Sequence, residues 1–257
     1  MIIDVNTYLG HWPFRKINHN ESHSLSAYLK KSQIDQACVS SLNAIFYKDT
    51  QQGNLELAEE IKGEGDFFIP FAVINPTYAG WEKDFIYCIS TLKMKGLMLY
   101  PYYHGYKLTD DCAVSLINLA AKMNVPVHLP CAIENIRQKH PMDTEENLSL
   151  SQVSEVLSLC SDADFIISNG STHAMAKSLK NIIDQRNGEV FFDFARVEVF
   201  TEDLDQLIDY AGIDHVVFGS VAPFQYIDPQ LVKLNYLKTD DLDKIKYKNL
   251  SRLLRIK

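Results

Sequence analysis

Short apolar runs alternate with amphipathic stretches along the whole chain. Ile2–Asn6, Gln36–Ser41, Phe67–Ile74, Gly96–Tyr100, Val125–Leu129, Phe165–Ser168, Val190–Asp193 and His215–Gly219 are nearly continuous in apolar residues, as strands buried on both faces are. Between them, Leu25–Lys31, Asn54–Ile61, Trp81–Leu92, Asp111–Met123, Leu150–Leu159, Ala174–Gln185 and Asp203–Tyr210 repeat their apolar positions at helical spacing. A closing helix is predicted over Asp241–Leu254, after the eighth strand. Parallel strands need a helical crossover, so eight βα units in succession predict the α/β class and, at this length, a closed (β/α)8 TIM barrel. No linker, repeat or low-complexity stretch interrupts residues 1–257, which predicts a single domain. No Gly-x-Gly-x-x-Gly follows the first strand, which removes the usual dinucleotide reading.

Composition narrows the function classes. Of 257 residues, 46% are hydrophobic and 23% charged, which excludes a disordered chain and leaves material for a large core. The net charge of −8 is interspersed, and nucleic acid as a partner is not expected without a clustered basic face. The basic tail of Lys244, Lys246, Lys248, Arg252 and Arg255 fits a solvated helix face. No run is long enough for a membrane span, and no leader pattern precedes Ile2. Five cysteines, odd in number and widely spaced, predict reduced thiols and a cytoplasmic location.

Barrel enzymes carry their chemistry where the strands end. The residues there include Asn6, Tyr8, Asn43, Asn75, Tyr100, His128, Pro130, Asn169, Asp193, Ser220 and Val221. Several of these ends resemble one family. Asp4-Val5-Asn6-Thr7-Tyr8-Leu9-Gly10 is similar to the amidohydrolase opening strand, Asp-x-His-x-His-x-Gly. Gly96 to Pro101 resembles its fourth strand, Gly-x-Lys-Leu-His-Pro, and Pro126 to Cys131 its fifth, Pro-Val-x-x-His-x. Asn169-Gly170 stands where a sixth-strand His-x-Gly would be, and Phe218-Gly219-Ser220-Val221-Ala222-Pro223 resembles Phe-Gly-Ser-Asp-x-Pro. Asn249 with Leu253-Leu254 looks like the family's Asn-x-x-x-Leu-Leu ending. Trp12-Pro13-Phe14-Arg15 and Tyr103-His104-Gly105-Tyr106 look like a related branch that lacks the paired first-strand histidines.

The resemblance implies a metal-dependent hydrolase, but the positions matching its metal ligands hold Asn6, Tyr8, Pro130, Asn169 and Val221. A catalytic zinc takes three His or carboxylate ligands, and none of these five side chains serves as one. The eighth-strand aspartate that doubles as general base is missing too. No metal or other cofactor is therefore expected. The alternative is a divalent ion such as zinc at a site rebuilt from His11, His104, His128 or His173 near the same mouth.

Other residues offer chemistry of their own. His128, two residues before Pro130, predicts an inward side chain one layer deeper, either a structural histidine bonded to a neighbour or a ligand. Asp193 could act as base, and Arg196 could grip a carboxylate in a two-bond fork or tie loops together. Arg15, Arg137 and His140 could reach the mouth. Cys131 and His128 are an odd step apart, unfavourable for a nucleophile pair. His19-Asn20-Glu21-Ser22-His23 reads as a surface loop, not a metal motif. Tyr8, Trp12, Tyr100, Tyr102, Tyr103 and Tyr106 could pack together or line a pocket for a planar or sugar-like ligand.

Two functions follow as expectations. The first is a metal-free, amidohydrolase-related hydrolase acting on a small polar or anionic metabolite. His128 and Asp193 would be its catalytic groups, and Asn6, Tyr8, Arg15, Tyr100, His104, Asn169, Arg196 and Ser220 would contact substrate. The second is a non-catalytic relative that binds a metabolite or a protein partner through the old pocket. A homo-oligomer through outer helices fits either, although no apolar stripe identifies an interface.

Overall fold

The computed structural model describes residues 1–143, 146–198, 202–237 and 241–256. Its eight strands pair in parallel and in sequence order: β1 (Ile3–Leu9), β2 (Gln36–Ser41), β3 (Phe68–Val73), β4 (Gly96–Met98), β5 (Val127–Pro130), β6 (Phe165–Ser168), β7 (Val190–Asp193) and β8 (Val216–Val217). The two ends of the sheet meet. Val5 N–H donates to Phe218 O and Tyr8 N–H to Ala222 O, while Val221 N–H donates to Asn6 O, all at 2.9 Å. These bonds close a barrel and leave no free sheet edge.

Helices wrap the sheet: α1 (Ser22–Lys31), α2 (Asn43–Phe46), α3 (Thr50–Glu60), α4 (Trp81–Ser90), α5 (Pro101–His104), α6 (Asp111–Lys122), α7 (Leu150–Leu159), α8 (Thr172–Ile183), α9 (Asp203–Ala211), α10 (Asp228–Tyr236) and α11 (Asn249–Leu254). Asp49 caps α3 by accepting from Gln51 N–H, and Ser149 with Gln152 forms a capping box that starts α7. A π-type turn over Lys244–Lys248 leads into α11. There Asn249 Nδ2 donates to Ile213 O and Val216 O at 2.8 Å, tying the closing helix to β8.

Alternating strand residues build two cores. Ala37, Val39, Leu97, Val127, Leu129, Phe165, Ile167, Val190 and Phe192 face the helices. Cys38, Ile69, Phe71, Val73, Met98, Ile166 and Phe191 fill the barrel. β1 switches parity partway. Ile3 and Val5 point into the barrel and so does Tyr8, whereas Leu9 faces the helices. A register shift between Asp4 and Thr7 accounts for the switch, because one extra residue turns every later side chain to the other face. This bulge lets Asn6 and Tyr8 project toward the axis.

All eight strands overlap the apolar runs that predicted them: β2, β6 and β7 match at both ends, β3 is one residue shorter at each end, and β5 runs over Val127–Pro130 where Val125–Leu129 was expected. β1 runs on to Leu9. β4 stops at Met98 because Pro101 opens the single turn α5, and β8 begins after a 3-10 turn that takes up His215. The turns α2 and α5 and the helix α10 were not predicted. The loop reading of His19–His23 fails at its end, since Ser22 starts α1 and His23 faces Glu64 from that helix at 3.3 Å.

A Cβ built on Gly96 would lie 2.5 Å from the Phe71 ring, so only glycine lets β4 lie against that ring. Gly96→Ala should destabilise the protein by about 1–3 kcal/mol through overpacking, read as a lower urea midpoint with an unchanged slope.

Candidate active site

At the carboxyl ends of β1, β6 and β7 four side chains form one hydrogen-bonded chain. Asn6 Nδ2 donates to Asn169 Oδ1 and to Asp193 Oδ2, each at 2.7 Å, and Asn169 Nδ2 donates to the Tyr8 hydroxyl at 3.0 Å. All four residues are buried. Gly219 backs the cluster, since a Cβ there would meet Asp193 Oδ2 at 2.6 Å. Asn6 Oδ1 and Asp193 Oδ1 are buried without partners. Burial lifts the Asp193 carboxyl to about 6, against the Asn6 hydrogen bond and the charges of Arg196 and Lys233, which pull it down. Burial raises the Tyr8 hydroxyl above its usual range, so it stays protonated.

The other predicted site residues sit apart from this chain. His128 lies within the barrel with Nε2 2.7 Å from Ser168 Oγ, and burial lowers it to about 3, which keeps it neutral. Tyr100 contacts Ser40 Oγ at 3.2 Å and Met98 Sδ at 2.6 Å. Arg15 Nε donates to the buried Glu134 carboxylate at 2.5 Å. His104, pushed down to about 4 by burial, sits in α5 at the rim. Ser220 N–H donates to Asp4 Oδ1 at 3.0 Å, and its hydroxyl accepts from Ala222 N–H at 3.0 Å. Arg196 ties loops together: Nη2 donates to Ile133 O at 2.5 Å, and Nη1 to Glu134 O at 3.0 Å and Asn169 O at 3.4 Å. Cys131 belongs to the helix-facing core, with its thiol pushed up to about 12 by burial, so it forms no nucleophile pair with His128.

Three participants escaped the sequence reading. Asp4 is fully buried, accepts from the N–H groups of Asn6 and Ser220, and is lifted to about 7 by burial. Its signal was a charge inside an apolar strand. Glu134 and Lys233 gave none, because one follows a strand in irregular sequence and the other looks like a solvated helix lysine.

Aromatic rings cover the chain. Tyr8 meets Phe224 edge-on at 5.6 Å between ring centroids, and Trp12 meets Phe224 at 5.1 Å, Phe14 at 5.3 Å and Phe46 at 5.4 Å. Trp12 is 1% exposed and Phe224 6%. The rings fill one another's space, and Tyr8 and Trp12 are both buried.

The donor set does not fit a catalytic divalent ion. Asn6 turns its NH2 group to Asn169 and Asp193, Asn169 gives its carbonyl oxygen to Asn6, and Pro130 and Val221 supply no side-chain ligand. Among the described residues no three His, Cys, Asp or Glu side chains gather to hold a metal, and this includes His11, His104, His128 and His173. His173 instead lies 3.7 Å from Asp203.

His128 sets a pH dependence. An unfolded histidine binds a proton near pH 6.5 and the folded one only near 3, so protons favour the unfolded chain and stability falls as pH drops below about 6.5. At pH 5 this amounts to about 2 kcal/mol relative to pH 7. His128→Gln should lose that much less stability between pH 7 and pH 5 than the parent, measured by urea unfolding.

No family model matches the chain, and no curated protein sequence matches it. Solved structures do. A candidate amidohydrolase from Staphylococcus aureus superposes with a TM-score of 0.75 at 15% identity, over 99% of both chains. A dihydroxybenzoic acid decarboxylase from Polaromonas sp. JS666, with bound manganese and the inhibitor 2-nitroresorcinol, gives a TM-score of 0.77 at 14% identity, over 99% of this chain and 96% of that one. A 5-carboxyvanillate decarboxylase from Sphingomonas paucimobilis gives 0.72 at 11% identity, over 100% and 99%. At these identities the likeness is one of fold: the chain shares the (β/α)8 barrel of these proteins.

Proposed function

We propose that this chain is a non-catalytic relative of the amidohydrolases, in which the old reaction centre is a structural polar core and the remaining role is to bind a small molecule at the rim. The observation that carries this reading is the burial of the whole inherited set. Asn6, Tyr8, Pro130, Asn169 and Val221 are all covered, and the polar members among them are hydrogen-bonded to one another. On the side of Tyr8 a substrate would have to displace Trp12 and Phe224, which breaks several aromatic contacts worth about 0.5–1.5 kcal/mol each beyond their buried area.

Val221 supports the same reading. Its φ of 62° is left-handed, a conformation that Asn and Asp tolerate and that a β-branched residue adopts only with strain of about 1–3 kcal/mol. The eighth-strand position thus keeps a backbone shape suited to aspartate while carrying a side chain without chemistry. No described helix is long and apolar enough to cross a membrane. All five cysteines are free, which favours a reducing compartment such as the cytoplasm.

One observation favours a second reading, a metal-free enzyme. Asp193 Oδ1 is buried without a partner on a carboxyl lifted to about 6, close to where a general base works at neutral pH. With the aromatic cover open, Asp193 would take a proton and Arg196 would anchor an anionic substrate.

Calorimetric titration of chelator-treated protein with Mn2+ and Zn2+ tests the first reading. No saturable uptake is expected, and Tm should stay within about 1 °C of the metal-free value. Stoichiometric micromolar binding would contradict it. Turnover of any member of an amide, lactone and carboxylic-acid panel, abolished by Asp193→Asn, would favour the second.

A further inference from the structure

On the rim beside the covered centre, the loops after β5, β7 and β8 and the helix α10 enclose an open cleft of about 690 Å3. Three cations line it, Arg137 exposed and Lys233 and Arg196 largely buried. Lys233 is 6% exposed, and its ammonium donates only to Phe194 O at 3.0 Å, Ala195 O at 2.9 Å and Gln230 Oε1 at 2.7 Å. Arg196 spends Nη1 and Nη2 on backbone carbonyls, and its Nε is buried with no partner. Among the described residues, neither has a carboxylate within ion-pair distance.

Two largely buried cations without ion-pair partners are costly, since carbonyl dipoles solvate a charge without neutralising it. One buried carboxylate, Asp193, acts on both from a distance. Glu134 is already bonded to Arg15, and the exposed Glu198 faces Arg137 at 3.8 Å. Glu134 and Glu198 also act on Arg196 and Lys233 respectively, so with Arg15 and Arg137 counted, four cations stand against three carboxylates, which leaves one positive charge uncompensated and suits a monoanion. One wall of the cleft is apolar, built from Val197, Phe224, Pro229, Val232 and the exposed ring of Tyr226, and polar residues such as Gln138, Glu198 and Gln225 make up the rest.

We propose that this cleft binds a small carboxylic acid with an apolar body, its carboxylate against Arg196 and Lys233 and its body against Val197, Phe224 and Val232. The proposal gives the rim-binding role argued above a place and a ligand class. A dianionic phosphate would overshoot the single uncompensated charge and leave the apolar wall unused.

Calorimetry with sodium octanoate, 1-octanol and inorganic phosphate tests it. Octanoate is expected to bind at least tenfold more tightly than 1-octanol, and phosphate not to compete. Lys233→Met should weaken octanoate at least tenfold. Because that residue holds three acceptors and its loss could disturb the fold, Val232→Glu serves as the second variant. Val232 is 52% exposed, and a carboxylate there should repel octanoate without lowering Tm. Equal binding of octanoate and octanol, phosphate binding as tight as octanoate, octanoate affinity unchanged in Val232→Glu, or no octanoate binding at millimolar concentration would each overturn the assignment. Metal uptake or turnover would contradict the non-catalytic reading and leave a positive octanoate result standing.

Discussion

An ionised carboxylate inside a barrel must be neutralised, hydrogen-bonded or coordinated, because bare burial costs several kcal/mol. Asp193 meets this requirement through its neighbours. Asn6 donates to it directly, and Arg196 and Lys233 add positive potential from the loop side and from α10. The surrounding geometry serves this contact. The β1 bulge lets Asn6 project inward, Gly219 leaves room for Asp193 Oδ2, and Asn169 and Tyr8 complete the chain toward the rim. Arg196, by bonding Ile133 O, Glu134 O and Asn169 O, draws the loops after β5 and β6 over the same point.

A second consequence concerns water. Once Asn and Tyr stand where histidines would point at an ion, the space at the mouth can be filled by rings, and Trp12, Phe14, Phe46 and Phe224 pack edge to face across it. Burial within the closed barrel lifts Asp193 and Asp4 and lowers His128. Perturbed groups of this kind mark working sites in many enzymes, but buried polar lattices produce the same perturbations. Access separates the two, and Asp4, Asp193 and His128 are each fully buried.

How far the sequence revealed this differs by level. The barrel was legible because parallel strands buried on both faces read as continuous apolar runs, and each helix between them repeats its apolar positions regularly. The turns α2 and α5 are too short for a periodic signal, and α5 appears only because Pro101 cuts β4 short. The bulge in β1 has no sequence mark, yet it decides that Asn6 and Tyr8 face inward. The inward turn of His128 followed from its spacing to Pro130. Its bond to Ser168 depends on how β5 and β6 lie in register, which a single strand does not display. The Arg15–Glu134 pair joins residues 119 positions apart, and the role of Lys233 emerges only when α10 packs over the ends of β7 and β8.

The most direct measurement is hydrogen exchange of the Asn6 and Asn169 side-chain amides by 15N NMR, assigned by comparison with Asn6→Asp and Asn169→Asp variants. If these amides are the buried links of a closed polar chain, they should exchange over hours and keep the same shifts when Zn2+ or Mn2+ is added. Exchange within seconds, or shifts that move stoichiometrically with added metal, would contradict a sealed, metal-free centre.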